Sequence, residues 1–229
     1  MRKLFILILL VTSGAINSYA QTSTSGFTNY FSAGPRLGVN FSDISGFDNS
    51  EMKAGLLVGA FAVYSFQEHF GVSLDLLYSR EGAKYKTTVT SPGFTFKSDV
   101  KARLNYLRIP LQACVFFGQF GDALRPKISL GPDLGFLLSA ENKSTTTTND
   151  GLISTEESST KDSKDSFKST DFGAIAGAGF NLRITEETWF NFDLRYYIGA
   201  SDIRDEKPAG TDDVKNSNLS VSAGIAFGF

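Results

Sequence analysis

Residues 219–229 read LSVSAGIAFGF, and an apolar side chain occupies every second position from Leu219 to Phe229. Serine, glycine and alanine fill the positions between them. Because successive side chains of a β-strand point to opposite faces, this alternation predicts a strand with one apolar face and one small or polar face. The apolar face ends in two aromatic residues, Phe227 and Phe229.

The same alternation predicts seven further strands. Each is about 10 to 14 residues long, which exceeds the ~5–6 residues of an ordinary strand and suits a tilted crossing of a bilayer. The predicted strands cover residues 31–42, 53–66, 70–80, 102–117, 127–140, 171–184, 188–199 and 219–229.

The connections between these strands alternate in length. The short ones are 67–69, 118–126 and 185–187, and the long ones are 43–52, 81–101, 141–170 and 200–215. Short turns at one end and long loops at the other are typical of barrels in the bacterial outer membrane. The sequence therefore predicts an all-β fold: an eight-stranded antiparallel up-and-down transmembrane β-barrel with short periplasmic turns and long extracellular loops.

The first 20 residues have the three-part organisation of a secretory signal peptide. A basic start at Arg2 and Lys3 precedes an apolar run of about eight residues and a small-residue site ending at Ala20. We expect cleavage after Ala20 and a barrel domain over residues 21–229. No later stretch supplies the ~18 continuous apolar residues of a membrane helix, so we expect an exported protein in the outer membrane of a Gram-negative bacterium.

Composition narrows the possible functions. The formal net charge of -2 argues against a nucleic-acid partner, because phosphate binding needs a basic field. The single cysteine, Cys114, cannot form an intramolecular disulfide. The single histidine, His69, lies in a predicted periplasmic turn, so the chain has few imidazole groups with which to bind a metal or transfer protons. We predict no cofactor, no metal and no catalytic residue.

Charged side chains occupy the face of several strands that opposes the apolar one. An eight-stranded barrel has an interior just wide enough for side chains to fill, and charges buried there must be paired. We therefore predict a structural ion-pair cluster that plugs the lumen, with Cys114 as a small packed residue beside it. The predicted cluster contains Arg36, Asp75, Arg108, Asp133, Asp193 and Arg195, with Gln112 and Asn191 on the same face.

Two features, the prolines and the second strand, fit the barrel less well. Pro35, Pro110 and Pro132 fall inside predicted strands, where a bulge or a strand end would have to accommodate the missing N–H. The inner face of the second strand is apolar rather than polar. The loop 141–170 is rich in Ser, Thr, Asp, Glu and Lys and has few apolar residues, so we expect a mobile extracellular loop.

Several segments resemble the PorT-like outer-membrane barrel family of Bacteroidota. They are LGVNFSDISG at 37–46, LYSREGAK at 77–84, YLRIPL at 106–111, GPDLGFLL at 131–138 and DFG at 171–173. The resemblance spans nearly all of the mature chain and implies an eight-stranded outer-membrane barrel. Named members of that family are linked to protein secretion and gliding, but the resemblance implies no catalytic residues.

These observations predict a structural or interaction role, linked to secretion or surface attachment, for a barrel whose lumen is largely plugged. The expected partners are outer-membrane lipid, the barrel insertion machinery acting on the C-terminal strand at Phe227 and Phe229, and a protein bound through the long loops. Three alternatives remain: a soluble exported lipocalin-like barrel around a ligand, a narrow passive pore, and a lipid-modifying enzyme.

Overall fold

The structure is a computed structural model that describes residues 30–45, 50–91, 94–119, 122–149, 154–206 and 213–228. The predicted signal peptide and Phe229 lie outside the described residues. Among those described, no helix is long and apolar enough to cross a bilayer. The strands are β1 (Tyr30–Ile44), β2 (Ser50–Ser65), β3 (Phe70–Glu81), β4 (Ala83–Ser91), β5 (Phe94–Phe116), β6 (Leu124–Asn149), β7 (Ser154–Asp162), β8 (Thr170–Arg183), β9 (Thr188–Gly199) and β10 (Asn216–Gly228).

Eight of these strands form a closed antiparallel ring. Its order is β1, β2, β3, β5, β6, β8, β9 and β10, and β10 pairs back onto β1 with Leu37 opposite Ala223. The ring confirms the predicted eight-stranded barrel. Short connections at residues 66–69, 117–123 and 184–187 lie at one end, which is the periplasmic end of such a barrel.

The ring places apolar side chains outside and polar side chains inside. On β3, Leu74 and Leu76 are 50% and 52% exposed, whereas Ser73 and Asp75 between them are 2% and 1% exposed. The other strands of the ring also present apolar side chains outward, and all except β2 have mainly polar or small side chains inside. The outer surface is therefore a continuous apolar belt. This arrangement is the reverse of a lipocalin, in which apolar side chains surround an internal ligand.

The inner face of β2 is apolar, as the sequence indicates, and it does face the lumen. Leu57, Phe61 and Val63 are all buried there. A Cβ atom on Gly224 of the neighbouring wall would lie 2.6 Å from the Phe61 ring. Glycine at that position therefore leaves room for an aromatic ring to cross the narrow interior.

The three prolines are accommodated without bulges, so the expectation of a bulge or strand end at these sites is wrong. Between β1 and β10 the residue pairing is interrupted after Ala33 and resumes at Arg36, so the interruption includes Pro35. The register is the same on both sides of it. The β3–β5 ladder lapses in the same way beside Pro110, and the β5–β6 ladder beside Pro132. A proline lacks the N–H for one ladder bond, and the long flanking ladders hold the register across the gap.

The extracellular ends of β5 and β6 continue well beyond the ring. They pair with β4 on one side and β7 on the other, so that Lys101 lies between Lys84 and Lys143, and Lys143 lies opposite Thr160. This four-stranded extracellular sheet occupies most of the predicted loops 81–101 and 141–170. The segment 141–170, which the sequence predicts to be a mobile loop, contains the end of β6 and all of β7, because β-branched Thr145–Thr148 extend a ladder that the ring has already started. Mobility of this segment stays a prediction.

Candidate functional site: the filled lumen

The periplasmic half of the lumen contains a cluster of alternating charges. Arg36 binds Asp75 at 3.0 Å and Asp193 at 2.8 Å, and Arg195 binds the same carboxylates at 2.6 Å and 3.2 Å. Lys127 adds a fifth contact, 3.0 Å from Asp193. All five side chains are almost fully buried, so each charge depends on its partners for the interactions that water would otherwise provide.

Neutral groups complete the coordination of this periplasmic cluster. The Arg36 guanidinium lies 4.2 Å from the centre of the Phe61 ring and donates to Asn191 Oδ1 at 2.8 Å. Ser73 Oγ donates to Asp75 Oδ1 at 2.9 Å. Hydrogen bonds to charged groups and a cation–π contact both offset the loss of hydration.

A second cluster fills the extracellular half of the lumen around Arg108. Its guanidinium binds Glu81 through Nε at 2.9 Å and Nη2 at 2.7 Å, and Nη2 also lies 2.7 Å from Asp171. The rings of Tyr106 and Tyr197 lie 4.7 Å and 4.1 Å from the guanidinium carbon. A cation held by two carboxylates and two rings has little freedom to move aside for a solute.

An apolar layer closes the lumen above Arg108. Ile44, Leu104, Ile203 and Val214 are at most 1% exposed and belong to one packed cluster. Ile203 and Val214 come from the extracellular connection after β9, so this loop folds inward over the barrel mouth. The lumen is thus blocked by two charged layers and one apolar layer.

At the periplasmic mouth there is a narrow recess, partly open to solvent, with a cavity volume of about 20 Å³. Arg125, Trp189 and Asn191 are among the residues that line it. Its inner wall is Asn191, which accepts the hydrogen bond from Arg36. Access from this side therefore ends at the first charged layer.

The structure joins five of the six predicted cluster residues in ion pairs. Asp133 is also buried, at 3% exposure, but it forms no ion pair with any residue that the structure describes, and its Oδ1 has no hydrogen-bond partner there. Cys114 is buried on the same inner surface, as expected. His69 is exposed in the periplasmic turn, with Nδ1 3.2 Å from the Phe116 carbonyl oxygen.

A family model for the outer membrane protein beta-barrel domain matches residues 19–205. The chain belongs to this family. The outer-membrane barrel also resembles OprG from Pseudomonas aeruginosa, with a TM-score of 0.51 and 16% identity over 88% of this chain and 96% of OprG. Neisserial surface protein A gives a TM-score of 0.44 and 14% identity over 86% of this chain and 96% of the other. No curated protein sequence matches the chain.

Family membership and the outward apolar belt place this outer-membrane barrel in the lipid of the outer membrane. They do not favour the soluble lipocalin-like alternative. Phe227 lies on the belt near the periplasmic end and is 48% exposed. Among the described residues, no group of three or more His, Cys, Asp or Glu side chains could hold a metal ion.

Three ion-paired charges in the lumen escaped the sequence analysis, namely Glu81, Lys127 and Asp171. Two further buried charges, Lys53 and Arg125, escaped it as well. Each lies at or near the end of a predicted strand, where the alternation had been taken to stop. The sequence nevertheless indicated that these residues face inward. Residues an even number of positions apart on a strand share a face, and each of these residues has that spacing from an inward residue, as Glu81 has from Asp75.

Proposed function

We propose that this protein is a closed barrel with a structural or interaction role at the cell surface, and that it does not conduct solutes. The observation that carries the proposal is the filled lumen, in which two charged layers lie beneath an apolar layer. An eight-stranded barrel offers no wider path around them.

The interaction role is assigned to the extracellular sheet formed by β4, the start of β5, the end of β6 and β7. This sheet extends the barrel wall beyond the membrane, and among the described strands β7 pairs only with β6. An exposed surface with an unpaired strand edge suits a protein partner. Such a partner would connect the barrel to secretion or surface attachment.

Planar-bilayer recordings distinguish this proposal from the narrow passive pore. The protein is first shown to be folded by its heat-dependent gel mobility and is then added to bilayers in ~1 M KCl, with a known porin as the positive control. We expect no discrete current steps. Reproducible steps of one size would contradict the proposal and support the pore.

We also propose that the chain belongs to the PorT-like barrels of Bacteroidota, a finer assignment than the family stated above. It is supported by the segments at 37–46, 77–84, 106–111 and 131–138, whose described residues lie on ring strands or at their extracellular ends. A genome neighbourhood that encodes secretion or gliding components would support this assignment, and a source outside Bacteroidota would contradict it.

Export and insertion follow the same proposal. We infer that the signal peptide is cleaved after Ala20 and that the insertion machinery recognises the C-terminal strand through Phe227 and Phe229. Replacing both phenylalanines by alanine is expected to lower the amount of barrel in the outer membrane, while Phe31→Ala, which also removes an exposed aromatic near the periplasmic end, is expected to have little effect. Equal loss in both variants would contradict a specific C-terminal signal.

We propose no catalytic activity. The only histidine, His69, is exposed at the periplasmic turn, on the opposite side of the charged layers from the extracellular mouth. Lipid turnover by the purified protein that is lost in His69→Ala would overturn this assignment.

A further inference from the structure

The extracellular sheet carries a row of three lysines on its outer face. Lys84 of β4, Lys101 of β5 and Lys143 of β6 lie directly opposite one another across the two ladders. Like charges placed directly opposite in a sheet destabilise it. None of the three forms a salt bridge with any described residue: the nearest acid in register, Glu51, is bound instead to Lys86 at 2.7 Å.

This row continues a basic zone that begins just above the lipid belt. Arg103 precedes the row by two residues on β5, and Arg80 lies opposite Asn105 one step lower, so both share the outer face. Three carboxylates share these levels. Glu51 lies opposite Lys84 but is bound to Lys86, and Glu141 is paired with Arg103 at 3.2 Å. Asp162 lies at the β7 edge opposite Glu141. Five cations therefore outnumber three carboxylates in this zone.

The zone begins within the headgroup layer and continues above it. Leu138, at the top of the belt on β6, is 47% exposed, and Glu141, which lies opposite Arg103, and Lys143 follow three and five residues later. At ~3.4 Å per residue and a tilt of ~45°, the backbone of Arg103 lies roughly 7 Å above the belt and that of Lys143 roughly 12 Å above it, whereas the headgroup layer is ~5–7 Å thick. The long lysine side chains can extend down toward that layer. The outer face of the sheet continues the lipid-facing surface of the barrel, so these cations point toward surrounding lipid rather than over the mouth.

We propose that this basic zone, Arg80, Lys84, Lys101, Arg103 and Lys143, binds the phosphate groups of the phosphorylated glycolipid in the outer leaflet. Phosphates at this depth would neutralise a row of lysines that forms no salt bridge within the described part of the chain. Basic clusters beside a membrane-spanning segment recognise anionic lipid headgroups in this way. The zone would then fix the rotation and height of the barrel among its lipids.

The test measures binding of diphosphoryl lipid A to the full-length folded protein in detergent. The test variant combines Lys84→Gln, Lys101→Gln and Lys143→Gln. The matched control combines Lys161→Gln, Lys164→Gln and Lys168→Gln, which remove the same charge from exposed residues outside the zone. We expect the test variant to bind about 10- to 100-fold more weakly and the control to stay within about twofold of the natural protein.

Three results would overturn the proposal: full binding by the test variant, equal loss in both triple variants, or equal binding of dephosphorylated lipid A. Inorganic phosphate serves as a competitor. If it displaces the lipid at concentrations comparable to those of lipid A, the zone is a general anion site and the lipid assignment is wrong. If the triple variant fails to show heat-dependent gel mobility, Lys101→Gln alone is used, with an expected loss of about threefold to tenfold.

Failure of lipid A to bind would leave the closed-barrel proposal untouched, because that proposal rests on the lumen. Current steps in planar bilayers would likewise leave the basic zone untouched.

Discussion

At the residue scale, Asp75 is the carboxylate on which the periplasmic cluster most depends. It binds both Arg36 and Arg195, and Ser73 donates to its other oxygen. Sequence alternation was enough to predict that Asp75 faces inward. It could not predict which arginines pair with it, because they come from β1 and β9, far away in the chain.

Replacing Asp75 by alanine is expected to lower the free energy of unfolding by about 3–5 kcal/mol, because two buried guanidinium groups lose a shared partner. Urea unfolding in lipid vesicles, followed by the fluorescence of Trp189, the only tryptophan, measures the change. Asp205→Ala, at an exposed site, is the control and should change stability by less than about 0.5 kcal/mol. A loss below about 1 kcal/mol for Asp75→Ala would contradict the account of the cluster.

Asp202 and Arg204 form a local ion pair in the extracellular connection that carries Ile203 into the apolar layer. Hydrogen bonds donated by the Arg204 side chain, 3.0 Å away at Nη2, lower the pKa of Asp202 to about 2. Because the folded pKa lies below the ordinary value of ~3.9, the pair stabilises the loop above about pH 4 and loses this effect as the pH falls toward 2.

Carboxyl NMR titration of the folded protein in micelles checks this prediction. The pKa of Asp202 should be about 2 in the natural protein and should rise toward ~3.9 in Arg204→Gln, which keeps only the backbone hydrogen bonds to this carboxylate. An ordinary pKa in the natural protein would show that the ion pair does not form.

At the element scale, period-two alternation predicts the eight strands of the ring well. Lipid outside selects apolar residues and the filled lumen inside selects polar ones, so the two kinds alternate along each strand. Alternation predicts the extracellular sheet poorly. Beyond the membrane both faces of β6 and β7 meet water, so polar residues such as Thr145–Thr148 carry no alternation to read. The expectation of a bulge or strand end at the prolines was wrong for a related reason. The register there is held by the whole ladder of hydrogen bonds, and a local sequence pattern carries no information about that ladder.

The outermost strand of the extracellular sheet should be its least protected part. Within the part of the chain that the structure describes, β7 (Ser154–Asp162) pairs only with β6, and it has exposed side chains over most of its length. We therefore expect its amides to exchange within about a minute, whereas those of β9 (Thr188–Gly199), paired on both sides, persist for roughly an hour or more. Hydrogen exchange followed by mass spectrometry measures both. Equal protection would contradict the expected mobility of 141–170.

At the scale of the whole molecule, the distribution of residues is the reverse of that in a soluble protein. Apolar side chains face the lipid outside, and charged side chains form the core. The sequence alone was sufficient to predict this inversion and the plugged lumen. It could not predict the apolar layer above Arg108, because Ile203 and Val214 lie in a predicted loop and are brought together only by the closed ring.

Access to the single natural cysteine tests the filled lumen most directly. Cys114 is 3% exposed on the inner wall and needs no engineered reporter. The folded protein in lipid vesicles is treated with a small charged thiol reagent, and modification is followed by mass spectrometry. Thr147→Cys in a Cys114→Ser background serves as the accessible control, since it places the thiol on the outer face of the extracellular sheet. We predict no modification of Cys114 in the folded protein and full modification after urea unfolding, whereas rapid modification of the folded protein would show a lumen open to water.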